Sequence, residues 1–305
     1  MGVALCLLSA VGFGLMAIFA KEAYAAGLGV TALLAARFVL AASLFWAIVA
    51  VRRRRRSGAA DAVPAARPPR RVVLACLAIG YAAQASLFFS ALEHIDASLT
   101  SLLLYTYPAL VFCGAVALGR ERVTPWKAAA LALASAGAAL VLLGGGTRGL
   151  EATGVLLALG AGATYAVYIL VAEDVVRRID PVLLGAFVAT GAALTFLLAG
   201  AIGDALTFTA GGWLWIAAIA MLSTVLPIVT FMLGMERVGA STASIVSTFE
   251  PVVTVALAVA LYGEALGPGQ ALGGALVLAA VIALQLHGTR APAPARAALA
   301  RESVG

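Results

Sequence analysis

Two stretches of this chain repeat without gaps at an offset of 143 residues, the separation of Pro108 from Pro251. Glu93, Ala97, Ser98, Ser101, Pro108, Glu121 and Pro125 recur as Glu236, Ala240, Ser241, Ser244, Pro251, Glu264 and Pro268. Apolar low complexity aligns Ala with Ala by accident, but it does not place two prolines, two serines and two glutamates in one register. The chain reads as a duplication, so its two halves are expected to fold alike.

Composition decides the solvent in which the two copies fold. With 63% hydrophobic and 11% charged residues, against about 25% charged in a soluble domain, 305 residues carry too little polar surface to cover a water-exposed globule. No segment alternates with period two over strand length, which excludes a barrel and leaves an all-α membrane protein. A span needs about 20 apolar residues to cross about 30 Å of hydrocarbon. Ten such runs lie near 2–20, 30–51, 72–91, 97–118, 126–145, 153–172, 182–203, 211–233, 241–262 and 269–287. The first has no basic residues ahead of it, and its copy (Gly2-Val3 against Gly154-Val155) lies in mid-chain, so it is expected to be a span and not a cleaved signal. The expected organisation is a five-helix repeat at 1–145 with an Arg-rich loop at 52–71, a second at 153–287, and a disordered tail at 288–305.

Charge orients the bundle. With the N-terminus inside, the inner segments hold Arg52 to Arg56, Arg67, Arg70, Arg71, Arg120, Arg122, Lys127, Arg177, Arg178, Arg237, Arg290, Arg296 and Arg301, which is 17 of the 20 basic residues. That bias predicts N-in, C-in topology. Five spans per half is an odd number and forces the halves into opposite orientation. Arg120, Arg122 and Lys127 accordingly become Gly263, Ala265 and Gln270 in the second copy, whose loop faces outward. The net charge of +6 is then a topology signal, and no nucleic-acid partner is expected. Cys6, Cys76 and Cys113 lie inside spans without metal-ligand or redox spacing and read as small packing residues. His94, between Glu93 and Asp96 in a short outer loop, reads as solvated. No metal or cofactor is expected.

A charge at bilayer depth costs at least about 2.5 to 3.5 kcal/mol, so ionisable residues within spans usually face a cavity or a partner. Glu250, near the middle of the ninth span, and Arg37, about seven residues into the second, stand out. Pro251 follows Glu250 directly, and Pro108 occupies the equivalent place in the first half; each removes a backbone donor and frees a carbonyl one turn earlier. Weakened helices at matching places in inverted repeats point to a midplane site. The copy of Glu250 is Tyr107, so a symmetric carboxylate pair is absent. Tyr81 and Gln84, and likewise Tyr165 and Tyr168, are three residues apart and share a helical face. With Tyr105 and Tyr107 they are candidates for lining a cavity, against the plainer reading of helix-packing hydrogen bonds. Glu121 and Glu264 precede the helix starts at Pro125 and Pro268, and are expected to stabilise those N-termini without chemistry. Trp46, Trp126, Trp213 and Trp215 read as interfacial anchors. Ala132, Ala136, Gly273 and Ala279 suit close helix contact in spans five and ten, and monomer and dimer both remain open.

The segments Leu104-Tyr-Thr-Tyr-Pro-Ala-Leu-Val, Leu118-Gly-Arg-Glu-Arg-Val-Thr-Pro, Phe249-Glu-Pro-Val-Val and Leu261-Tyr-Gly-Glu-Ala-Leu-Gly-Pro, with Arg37-Phe38 in the second span, resemble the EamA-type branch of the drug/metabolite transporter superfamily. The resemblance runs from about residue 2 to 287 and leaves the substrate unspecified. It implies a secondary transporter of small organic metabolites, such as amino acids or related compounds, working by alternating access, with export the direction implied by the family. Multidrug efflux is the nearest alternative. A passive channel would need a continuous pore lined by carbonyls or a charged ring, and an intramembrane enzyme would need a nucleophile with its base; neither pattern is present in the sequence. Coupling to protons, exchange and gradient flow all stay open. Abundant Ala and an excess of 18 Arg over 2 Lys point to a bacterial source and its cytoplasmic membrane.

Overall fold

The computed structural model describes residues 1–56, 71–120, 123–143, 151–176, 179–203 and 206–288, and every regular element among them is helical. In chain order these are α1 (Gly2–Ala25), α2 (Val30–Arg56), α3 (Arg71–His94), α4 (Ala97–Leu104), α5 (Tyr107–Ala117), α6 (Pro125–Leu143), α7 (Ala152–Val176), α8 (Pro181–Gly203), α9 (Gly212–Ala220), a π-helical turn at Met221–Val225, α10 (Leu226–Ser247), α11 (Phe249–Tyr262) and α12 (Pro268–Gly288). Seven helical stretches of the described chain are long and apolar enough to cross a membrane, and α6, α11 and α12 contribute three shorter apolar helices. This is an all-helical, multi-pass membrane protein.

Helix ends depart from expectation where capping chemistry differs. The fourth expected span is two helices, α4 and α5, because Pro108 interrupts it. Between α3 and α4 the chain breaks at Asp96, and the Ala97 and Ser98 N–H groups that follow are capped by the Glu264 carboxylate, whereas α10 runs unbroken from Leu226 to Ser247 through Gly239, the copy of Asp96. The break comes instead at Thr248, just ahead of Pro251. In the second span the helix continues through Arg52–Arg56 rather than ending in a loop at 52. The rest of that loop, together with Glu121 and the tail, lies outside the described residues.

The principal pairings are α1 on α10, α2 on α8, α6 on α12 and α3 on α7, followed by α1 on α11 and α3 on α8, with α4 touching α11 and α7 less extensively. Glycine permits the closest of them. A Cβ at Gly12 would lie 2.6 Å from the Leu222 carbonyl oxygen, and one at Gly14 would lie 2.9 Å from that of Glu250, so α1 is held backbone to backbone against the π-helical turn and α11. Small residues do join α6 to α12, but through Gly137 and Gly273. Each Cβ would approach the other's carbonyl oxygen, to 2.8 and 2.6 Å, while Ala132, Ala136 and Ala279 face outward. Cys6 is buried as expected, but Cys76 and Cys113 are exposed and do not pack the interior. Trp46 is exposed at the bundle surface, and its indole N–H donates to the Thr190 hydroxyl at 3.0 Å.

Candidate functional site

Two interrupted helices meet. In the first, α4 ends at Leu104, Tyr105 and Thr106 bridge the gap, and α5 begins with Pro108 in its first turn. The Thr106 hydroxyl donates to the Leu103 carbonyl at 2.8 Å, satisfying an acceptor at the end of α4. In the second, α10 ends at Ser247, and Pro251 supplies no N–H to the Ser247 carbonyl one turn back. The two breaks are tied by one side chain: the Tyr105 hydroxyl lies 3.0 Å from the Ser247 carbonyl oxygen and 3.0 Å from Glu250 Oε2. Helices from both halves back this junction, with Gly14 of α1 against Glu250 and Gly162 of α7 against the Leu104 carbonyl. Thr254 adds a lock by donating to the Gly14 carbonyl at 2.9 Å.

A line of aromatic rings leads away from Glu250. Centroids are 5.7 Å apart from Tyr105 to Tyr107, 4.7 Å from Tyr107 to Tyr165, 6.0 Å from Tyr165 to Tyr168, 5.5 Å from Tyr168 to Tyr81 and 5.8 Å from Tyr81 to Phe38. Tyr165 and Tyr168, whose shared face the spacing predicts, stand together with Tyr81 in one line of rings, a seam through the apolar bundle, and Gln84 is buried one turn on from Tyr81. Tyr105 is 4% exposed, whereas Tyr81, Tyr107, Tyr165, Tyr168 and Glu250 are half-buried.

Arg37 closes the far end. Its side chain is fully buried, its guanidinium lies 4.8 Å from the Phe38 ring centroid and 5.0 Å from that of Phe89, and its Nε donates to the Thr224 hydroxyl at 3.0 Å. Thr224 in turn donates to the Ile219 carbonyl across the π turn at 2.9 Å. Arg37 therefore links α2 to the irregular start of α10. Nothing in the sequence marks Thr224 as its partner, because hydroxyls are common in apolar helices. Among the described residues no group of three His, Cys, Asp or Glu side chains is placed to hold a metal.

Glu264 does stabilise a helix N-terminus, but that of α4 rather than α12. Gly263, at φ +64°, turns the chain at the end of α11 and directs Glu264 back over the bundle. Its carboxylate accepts from the Ala97 and Ser98 backbone N–H groups at 3.0 Å each, from the Ser98 hydroxyl at 2.7 Å and from Lys21 Nζ at 3.2 Å. Burial pushes this carboxyl's pKa upward, but the Ser98 and Ala97 donors and Lys21 outweigh it and hold the group below its ordinary value. Asp96 is raised instead, by burial and by the negative charge of Glu264. The start of α12 is capped by Gln270, whose side-chain oxygen accepts from the Gly267 N–H at 2.9 Å. His94 is not merely solvated: its Nδ1 lies 3.0 Å from Glu151 Oε1.

A bundle of apolar helices, in which seven described stretches are long enough to cross a bilayer, with a line of tyrosines beside two interrupted helices, defines a polytopic membrane protein. The chain belongs to the EamA-like transporter family, whose model it matches over residues 1–143 and 152–285. It is 28% identical over 283 residues to the uncharacterized transporter YcbK of Bacillus subtilis, covering 89% of this chain and 88% of that one. It is also 28% identical over 219 residues to an uncharacterized transporter of Archaeoglobus fulgidus, covering 70% and 76% of the two chains. The threonine/homoserine exporter RhtA of Escherichia coli is 33% identical over 159 residues, about half of either chain (49% and 50%). A crystal structure with 20% sequence identity superposes with a TM-score of 0.66 over 96% of this chain and 99% of that one, a likeness of fold.

Proposed function

We propose that this protein is a secondary transporter that exports small organic metabolites, amino acids or related compounds, across a bacterial cytoplasmic membrane by alternating access to the seam between the two breaks. The observation that carries this reading is the junction itself: two interrupted helices, marked by the repeat-related prolines 108 and 251, face one another with Glu250 between them. Half-buried tyrosines beside it give a solute polar edges and aromatic faces to bind. Ten spans in two inverted five-helix repeats fit this mechanism, with α6, α11 and α12 among them. The pairing of α1 with α10 and of α7 with α3 supports the inversion, since each repeat's first helix then packs on the other repeat's third span. Gly234 packs against the start of α1 near Gly2, and Gly154, at the start of α7, packs against His94 and Ile95, matching contacts that the inverted reading puts at opposite ends of the bundle.

Export of threonine and homoserine by RhtA supports an amino-acid substrate. The aromatic seam with a single carboxylate favours the second reading, efflux of organic cations, through cation–π attraction. One experiment separates them. Purified protein in proteoliposomes is screened for saturable uptake and counterflow across amino acids, purines, sugars and cationic drugs. Saturable counterflow of one class with the substrate chemically unchanged is the expected result. Linear, non-saturating flux would instead indicate a channel, and a covalently altered substrate an enzyme.

A further inference from the structure

From the count of donors at the junction we infer that the Glu250–Tyr105–Ser247 group is a proton site, and that its proton determines whether Tyr105 pins both sides of the α10/α11 break or only one. The inference rests on the transporter reading only for its consequence. A phenol has one proton to donate. Tyr105 Oη lies 3.0 Å from two acceptors, the Ser247 carbonyl on the last residue of α10 and the Glu250 carboxyl in the first turn of α11. When Glu250 is ionised it is the stronger acceptor, because charge-assisted hydrogen bonds are roughly twice as strong as neutral ones, and it accepts the phenol's single hydrogen bond. The Tyr105–Ser247 bond is then lost. When Glu250 carries a proton it donates to Tyr105 Oη, Tyr105 donates to Ser247, and both short distances are hydrogen bonds at once. The observed geometry is that of the protonated site.

Thr248, the single residue between Ser247 and α11, joins the two helices at φ −65° and ψ −6°. Protonation ties both flanks of that join to the α4/α5 break through Tyr105, whereas deprotonation removes the Tyr105 tie to α10 and loosens the join. Tyr105 is thus a positioning residue: it touches the coupling group and converts its charge into a change at the join.

No other described charge competes for the role. On α1, Lys21 is engaged by Glu264, and Glu22 accepts from the Tyr262 hydroxyl at 2.8 Å, both near the opposite end of α11 from Glu250. Asp96 sits at the far end of α4 beside Lys21. On α10, Arg237 is exposed and bonded to the Leu233 carbonyl. Tyr107 and Tyr165, the next rings along the seam from Tyr105, are phenols and not carboxylates or cations.

The test is hydrogen–deuterium exchange of the full-length protein in lipid nanodiscs, without substrate or gradient. Exchange across residues 245–252 is read as a ratio to a segment of α8, so that intrinsic pH effects cancel. In the native protein the ratio should rise about tenfold as pH is raised through the titration, the effect of about one hydrogen bond. Glu250→Gln, whose amide donates to Tyr105 as the protonated acid does, should stay slow at every pH. Tyr105→Phe should be fast at every pH. A Tyr105→Phe ratio that follows the native protein throughout, or a Glu250→Gln ratio that still switches with pH, overturns the inference. Should Tyr105→Phe exchange quickly along its whole length, and so be unfolded, the Glu250→Gln arm decides alone. Because no transport is measured, failure here would leave the transporter reading standing, and failure of counterflow would leave the proton site standing.

Discussion

Removing the Glu264 carboxylate should release the end of the bundle where α4 begins and α11 ends. The side chain is 6% exposed and receives four donors, namely two backbone N–H groups of α4, the Ser98 hydroxyl and Lys21. Loss of an N-cap costs about 1 kcal/mol, and each buried donor left without its acceptor costs about 1 to 3 kcal/mol, with water entry at this end recovering part. A net loss of about 2 to 4 kcal/mol for Glu264→Ala follows, or roughly 5–10 °C in Tm at the upper end of domain sizes for which such shifts are known. Thermal unfolding in detergent, followed by tryptophan fluorescence, measures it, with Glu93→Ala as an exposed control. The sign with pH is fixed. The native Glu264 carboxyl is held below its ordinary value, so its contribution is fully present above the unfolded carboxyl's pKa of about 4.3 and is lost as pH falls through the lower native value. The gap between native and variant should therefore be widest near neutrality and close in acid. A Tm for Glu264→Ala equal to that of Glu93→Ala at pH 7, or a gap that widens in acid, would refute the reasoning.

Asp96, raised by burial and by Glu264, is less stabilising when charged, so Asp96→Asn should leave Tm at pH 7 unchanged or slightly higher in the same assay. Gly14→Leu would place a Cβ 2.8 Å from that of Val253 and 2.9 Å from the Glu250 carbonyl oxygen, neither of which can retreat easily, and overpacking of about 1–3 kcal/mol should lower Tm and transport together. Arg37→Lys keeps the charge but loses the planar stack on Phe38 and Phe89, and should be destabilised nearly as much as Arg37→Met by thermal unfolding. In intact cells, His94→Cys should label with an impermeant thiol reagent from outside and Arg237→Cys should not. Labelling of both, in a protein whose native cysteines have been replaced, would exclude opposite sidedness for these repeat-related segments.

Much of the candidate site was legible because polarity is conspicuous in an apolar sequence. Glu250, the two prolines and the tyrosines of α3, α5 and α7 stood out as costly or unusual at bilayer depth, and they do come together. What failed to show was long-range pairing. Glu264 was assigned to the helix that follows it, because its real partners, Ala97 and Ser98, are more than 160 residues away in sequence. Thr224 and the π turn left no signal, since neither a hydroxyl nor an extra residue per turn disturbs an apolar run. The gap expected at 234–240 is absent because α10 runs through to Ser247, whereas the matching gap before α4 is stabilised by the distant Glu264 cap.

Transport by the Glu250→Gln protein is the most direct measurement of the central claim, that a site between the two broken helices couples binding to access. Native protein in proteoliposomes should perform both substrate counterflow and uptake driven by a pH gradient. The Gln variant, which keeps the shape and hydrogen bonds of the protonated acid, should retain counterflow and lose gradient-driven uptake. Gradient-driven uptake at the native rate by a folded Glu250→Gln protein would contradict the account.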